Sequence, residues 1–468
     1  MVFSSPIFVF LFLPLALAAH FAAPRRLRNV ALFAVSLLFY AWGEKGFVFL
    51  MLASIALNYG LGRWLEARNS RSVLALGVIL NLALLVVYKY ANFFIANLNT
   101  ILPQPIVHKP IHLPIGISFF TFEAIAYLVD IRRRDTTAQR NPANFGLFMT
   151  LFPHLIAGPV VRYRDLAAAI ANRTLTSALF ASGVRRFVVG LAKKVLVANA
   201  LGLTADKLFA LPPDQLAPSA AWLGVVCYTL HIYFDFSGYS DMAIGLGRMF
   251  GFELCENFRY PYAAESVTDF WRRWHISLST WFRDYLYIPL GGNRRGPWRT
   301  CFNLCVVFAL CGLWHGASWT FLAWGLFHGL FLAMERAGLG RLLGKIPFPL
   351  RHGYTLLAVM AGWVFFKAET LGQALGYLGA MAGLSAGPHV VADYVSRELL
   401  LVLLFGSVAC LPVWPLLRGW WGRSREFFGA PGAAAVELGR VAATAAMLAA
   451  TTVQLTAGTY NPFIYFRF

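Results

Sequence analysis

Ionisable residues crowd between Asp269 and Gly329 in a chain that otherwise avoids them. The stretch opens with Asp269-Phe-Trp-Arg-Arg-Trp-His275, passes through Arg283-Asp284-Tyr285, and ends in two apolar runs that carry His315 and His328. Groups that hold charge are expensive in a bilayer, so their presence there marks a site by default. His315 lies in Cys311-Gly-Leu-Trp-His-Gly-Ala-Ser-Trp319, after an apolar run. A neutral imidazole at that position accepts a proton, which is what a general base requires. A hydrogen-bonded packing histidine explains the same residues equally well. For His328, in Trp324-Gly-Leu-Phe-His-Gly329, packing is the favoured reading. His154, and His231 ahead of Asp235, carry the same ambiguity.

Taken as one helix at roughly 100° per residue, Asp269–Leu286 puts Trp271, Trp274, Leu278, Trp281 and Tyr285 on one face. Arg272, His275, Ser279 and Arg283 form a neighbouring stripe. Trp and Tyr favour the headgroup level, so the helix is expected in the membrane interface. A plain anchor accounts for the tryptophans but not for a histidine on a basic stripe. Arg272 and Arg283 suit an anionic ligand such as a phosphate, with Arg294, Arg295 and Arg299 adding charge beyond Gly291-Gly292.

The elements that must position these groups are membrane helices. Of the 468 residues, 59% are hydrophobic and 13% charged, against about 25% charged in soluble proteins. Mean hydropathy is +0.61. Continuous apolar runs indicate spanning helices rather than the alternating strands of a barrel. The net charge of +19 is dispersed in short clusters between the runs, as the positive-inside rule expects, and does not indicate nucleic acid. The six cysteines form neither a disulfide nor a zinc pattern, and the histidines lack metal-ligand spacing, so no metal is expected. There is no G-x-S-x-G elbow, H-E-x-x-H motif or Walker loop.

Apolar runs near 5–22, 29–43, 45–62, 73–96 and 111–130 come first. The connections Arg25–Arg28, Arg63–Arg71 and Arg132–Arg140 are basic and read as cytoplasmic, which puts the N-terminus outside. Gly43–Gly46 and the Pro-rich Leu102–Pro114 then face outward. Phe145–Val161 contains Pro153, Gly158 and Pro159 between basic flanks and reads as re-entrant. A span near Ala220–Phe236 runs into Tyr233-Phe-Asp-Phe-Ser-Gly-Tyr-Ser-Asp241, unusually polar through Asp235, Ser237 and Asp241. Two close spans, 300–315 and 318–335, are joined by Gly316-Ala-Ser318. Further spans fit 353–367, 399–417 and 434–458, with a cytoplasmic Arg418–Arg425 loop between the last two. The fold expected is all-α and polytopic, with about 11–12 transmembrane helices plus re-entrant and interfacial pieces. It forms a single membrane domain over 1–468, with N-terminal helices to 110, a core over 111–335 and C-terminal helices over 336–468.

Several stretches resemble the membrane-bound O-acyltransferase superfamily, and most closely its bacterial alginate O-acetyltransferase branch. They are Leu113-Pro-Ile-Gly-Ile-Ser-Phe-Phe120, Phe152-Pro-His-Leu-Ile-Ala-Gly-Pro159, Tyr233–Gly245, Phe270-Trp-Arg-Arg-Trp-His-Ile-Ser-Leu-Ser-Thr-Trp281 and Gly312-Leu-Trp-His-Gly-Ala-Ser-Trp319. The resemblance implies a central tunnel through the many-helix fold, with His315 as the catalytic residue and His275 as the second characteristic position. It implies an acetyl-CoA-type donor on the cytoplasmic side of a bacterial inner membrane, met by Arg272, Arg283, Ser279 and Trp274. His154, Asp235, Ser237, Asp241, Trp314 and His328 are then expected along the tunnel. The acceptor is expected to be an external polysaccharide: alginate-like, cellulose or peptidoglycan. Periplasmic partner proteins complete the transfer, and membrane lipid surrounds the fold. Read without that resemblance, intramembrane His and Asp with broken helices also suit a transporter or flippase of a polysaccharide precursor.

Overall fold

The structure is a computed structural model that describes residues 2–458 and 460–462, and for 414, 416–431 and 433 the backbone alone. The described residues are helical, with an isolated bridge between Leu216 and His389. The chain divides into two compact units. The first comprises the described residues of 1–187 and 242–255, the second those of 188–241 and 256–464.

In the first unit, α1 (Phe8–Ala22), α2 (Arg28–Glu44), α3 (Phe47–Arg68) and α4 (Arg71–Leu98) follow in close succession. Apolar side chains point outward along them, as lipid-facing helices require, and internal contacts carry the specificity. Asn58 of α3 and Asn81 of α4 are fully buried and exchange side-chain hydrogen bonds at 3.0 and 2.8 Å. Such amide pairs hold helices together where lipid removes the hydrophobic drive. Next come α5 (Ile117–Arg133), α6 (Pro142–Thr150), α7 (Phe152–Leu155) and α8 (Tyr163–Ala171). The break between α6 and α7 falls at Leu151, ahead of Pro153. With nine and four residues, neither helix is long enough to cross, in keeping with a re-entrant segment.

The connections of this unit sort to two ends. Asn29 donates to Asn144 (2.9 Å) and to the Ile170 carbonyl (2.8 Å), and Glu66 accepts the Ala138 N–H at 2.8 Å. These bonds gather the basic connections. The Gly43–Gly46 turn and the Pro-rich stretch meet elsewhere, where His112 lies 3.1 Å from the buried Glu44 carboxylate and tilts against Phe47.

Helices α9 (Ser177–Phe209) and α10 (Pro218–Met249) contribute to both units. The second unit continues with α11 (Val267–Arg273), α12 (Ile276–Phe282), α13 (Pro297–His315), α14 (Trp319–Met334), α15 (Phe348–Lys367), α16 (Leu371–Met381), α17 (Arg397–Ala409) and α18 (Val413–Ala457). Among the described residues, five helices are long and apolar enough to cross a membrane: α3, α4, α9, α13 and the Ala434–Ala457 part of α18. Others counted as spans from the sequence, such as α2 with 17 residues and α14 with 16, are shorter than the usual crossing of about 20.

Two expectations need correction. The Arg418–Arg425 segment is helical within α18 rather than a loop. Arg, Leu and Glu are competent helix formers, so a basic run does not by itself end a helix. Asp269–Leu286 is not one helix: Trp274 is extended and His275 is left-handed (φ 44°, ψ 54°), separating α11 from α12. The break resets the helical phase, so His275 does not share a stripe with Arg272 and Arg283.

Candidate active site

The second unit builds a polar and aromatic cluster from the end of α13 and the break between α11 and α12. His315 is the last residue of α13, and Gly316 continues in extended conformation before Ser318 caps α14 through the Phe321 N–H. Helices α13 and α14 approach closely because of two glycines. A Cβ on Gly312 would strike the Phe321 carbonyl oxygen, and one on Gly325 the Phe308 carbonyl oxygen. That backbone contact fixes where the α13 terminus ends, and with it the imidazole of His315. The ring is 4% exposed. Trp324 and Phe366 meet it edge-on at 5.1 and 5.3 Å between centroids, and Trp314 at 5.0 Å.

His275 reaches the same place from the α11–α12 break. Its ring is wholly buried, 6.4 Å from that of His315, 6.2 Å from Trp314 and edge-on to Phe236 at 4.7 Å. A left-handed backbone at a non-glycine residue costs energy and persists only when its surroundings hold it. Here the segment around Asn257 does so. The Arg259 N–H donates to the Arg273 carbonyl and the Ile276 N–H to the Asn257 carbonyl, both at 3.0 Å. The Asn257 side-chain oxygen lies 3.1 Å from the Ser277 N–H, 2.9 Å from the Ser277 hydroxyl and 3.2 Å from His275 Nδ1. Burial pushes the His275 imidazole down to about 3, which keeps it neutral across the physiological range.

The N-terminus of α11 is fixed by Glu335, which follows α14. Its carboxylate accepts the Val267 N–H (2.7 Å), the Thr268 N–H (2.9 Å) and hydroxyl (2.5 Å), and the Tyr354 hydroxyl (3.2 Å). A carboxylate suits the positive end of a helix and its unpaired N–H groups. One side chain therefore ties together the helix leading to His275, the end of the helix carrying His328, and α15.

Of the residues singled out in the sequence, His275, Trp314 and His315 come together. His328 is buried and its Nδ1 accepts the Trp271 indole N–H at 3.3 Å. Trp274 lies in an aromatic cluster with Phe270, Phe258 and Trp363. Ser279 donates to the Trp274 carbonyl. Arg272 is exposed on α11, whereas Arg283 forms a two-pronged pair with neighbouring Asp284 at 2.6 and 3.2 Å. Asp235 on α10 pairs with Lys194 on α9 at 2.5 Å, both buried, and Asp241 with Lys193 at 2.7 Å. The Lys194 ammonium also donates to the Pro462 carbonyl, and Asn199 to that of Tyr460. The Ser237 hydroxyl is buried with no hydrogen-bond partner among the described residues. His154 belongs to the first unit, fully buried and 2.9 Å from Glu123. Sequence reasoning did not single out Asn257 or Glu335. Neither sits in a motif: the break at Trp274 gives Asn257 its work, and the start of α11 gives Glu335 its own.

Residues 75–342 match the model of the membrane-bound O-acyltransferase family. The chain is 43% identical to the probable alginate O-acetylase of Azotobacter vinelandii along the full length of both. It is 48% identical to that of Pseudomonas aeruginosa, over 79% of this chain and 73% of the relative. It is 36% identical to the peptidoglycan O-acetyltransferase of Helicobacter pylori, over 85% and 82%. With a family match over more than half its length and a full-length relative of this identity, the chain belongs to the membrane-bound O-acyltransferase family and is an integral membrane O-acyltransferase.

Proposed function

We propose that the chain takes acetyl from acetyl-CoA on the cytoplasmic side of a bacterial inner membrane. It passes that group on for O-acetylation of an external polysaccharide, with His315 as the base. The observation that carries this reading is the convergence of His275 and His315, from separate elements, at 6.4 Å inside an aromatic enclosure. The names of the relatives, alginate O-acetylase and peptidoglycan O-acetyltransferase, support a cell-envelope glycan as acceptor.

The chemistry follows from the groups present. His315 removes the proton of an acceptor hydroxyl, and the oxygen attacks the thioester carbonyl carbon. The carbonyl π electrons move onto oxygen, and their return expels the thiolate of coenzyme A, which takes up a proton. The ester forms as the C–S bond breaks. A water-excluding aromatic shell strengthens each electrostatic interaction at that centre and keeps hydrolysis down. Exposed Arg272, with Arg294, Arg295 and Arg299, offers charge for the phosphates of coenzyme A. Arg283 is already half-neutralised by Asp284, so Arg272 carries the larger share. Periplasmic partner proteins of the same polysaccharide system would complete transfer to the polymer.

The test uses His315→Ala in the host membrane. The variant is expected to accumulate normally while glycan O-acetylation and thiol release from labelled acetyl-CoA are lost. Wild-type acetylation in that variant would remove His315 from the mechanism.

A further inference from the structure

We propose that Asn257 is a positioning residue that sets the tautomer of His275, leaving Nε2 as its proton-accepting nitrogen. The backbone N–H of Ser277 is an obligate donor, so the Asn257 atom 3.1 Å away must be the amide oxygen. That same oxygen faces His275 Nδ1 at 3.2 Å. Two acceptors cannot share a hydrogen bond, so Nδ1 carries the hydrogen and Nε2 the lone pair. The second ring nitrogen is thereby assigned by its partner, as in catalytic and metal-bound histidines elsewhere. The Ser277 hydroxyl donates to the same oxygen at 2.9 Å and so blocks rotation of the amide.

Asn257 also meets the first N–H groups of α12: its carbonyl takes that of Ile276, and its side chain that of Ser277. A helix cap acting from a distant segment is therefore the competing account, and it makes no demand on the ring. The groups facing His275 allow the two to be separated. Among the described residues, Phe236 comes from α10, and Trp314 and the titratable His315 from α13. Asp235, beside Phe236, is engaged by Lys194, and Glu256 precedes Asn257 in the chain.

The activity arm of the test rests on the acyl-transfer reading; the spectroscopic arm does not. Full-length protein labelled with ¹⁵N-histidine in nanodiscs, with His275 assigned by its loss in His275→Gln, should show a protonated Nδ1 and an unprotonated Nε2. Asn257→Asp keeps every acceptor contact and adds negative charge beside Nδ1–H, which favours the imidazolium. The base form is then lost at a higher pH. Followed by the ring ¹⁵N shifts, the imidazolium of His275 should form about one pH unit or more higher than in wild type. Asn257→Leu should shift the ring toward Nε2–H and lower thiol release from acetyl-CoA, measured in inverted membrane vesicles, about tenfold or more. An Nε2–H ring in the wild type, or an unchanged tautomer in a folded Asn257→Leu protein, would overturn the proposal. An imidazolium that forms at the wild-type pH in Asn257→Asp would do the same. If wild-type vesicles release no thiol, the acyl-transfer reading fails, and the nitrogen shifts still decide the role of Asn257.

Discussion

At the residue scale, Trp324 keeps a polar atom that packing does not use. Its ring is 1% exposed and meets His315 edge-on at 5.1 Å, yet its indole N–H has no hydrogen-bond partner among the described residues. A buried donor left unpaired costs about 1–3 kcal/mol, and proteins keep such groups where something else repays them. A thioester carbonyl turning into an oxyanion near His315 is an acceptor of the required kind. Trp324→Phe retains an aromatic ring and deletes the N–H. We expect thermal stability in detergent to stay close to wild type, because lost ring area is offset by the removed orphan. The kcat for acetyl-CoA turnover should fall about 100-fold with KM little changed. An unaltered kcat would return Trp324 to packing alone. His328 has a different position: its Nδ1 already receives the Trp271 N–H, so that nitrogen is spent on joining α11 to α14.

At the element scale, the site depends on helices being stopped at defined points. Glu335 holds the start of α11, and the left-handed His275 ends the run that Trp274 begins to break. Glu335→Ala strands the Val267 and Thr268 N–H groups in a buried setting, at a cost of about 2 kcal/mol or more. We expect a lower midpoint of thermal unfolding in detergent and a parallel loss of acyl transfer. Glu335→Gln, which keeps one acceptor oxygen, should recover part of both; a midpoint unchanged in Glu335→Ala would show that α11 needs no such cap. This scale was only partly legible beforehand. The α13–α14 hairpin could be read directly, because Gly316-Ala-Ser318 separates two apolar runs and Ser318 is a helix cap. The α11–α12 break could not. Nothing between Arg273 and Ile276 is a Gly or Pro, and the turn is imposed by hydrogen bonds from Asn257 and Arg259, which lie far back in the chain. Local propensity favoured a continuous helix, and tertiary contacts overrode it.

At the scale of the whole molecule, apolar runs and motif residues were enough to indicate a helical membrane enzyme. The partners of those residues were not legible. Spacing alone does not show that Asp235 faces Lys194, or that a carbonyl from Pro462 joins them. Charge parity, by contrast, makes a claim about the fold that side-chain contacts within the first unit support. The basic connections are linked through Asn29–Asn144 and Glu66–Ala138, and the Gly43–Gly46 turn is linked to the Pro-rich stretch through Glu44–His112. Lys and Arg are retained on the cytoplasmic side during insertion, so the first group should be cytoplasmic and the second external. Single cysteines placed in a cysteine-free background at Lys45 and Lys109 should react with a membrane-impermeant maleimide added to intact spheroplasts. Cysteines at Arg68 and Arg134 should react only after permeabilisation. Each of these four sites is exposed at a helix end or in a connection, so failure to label reports the membrane barrier rather than burial. Labelling of Lys45 and Arg134 from the same side would break the parity argument. The reverse pattern would turn the first unit over, with its basic connections outside.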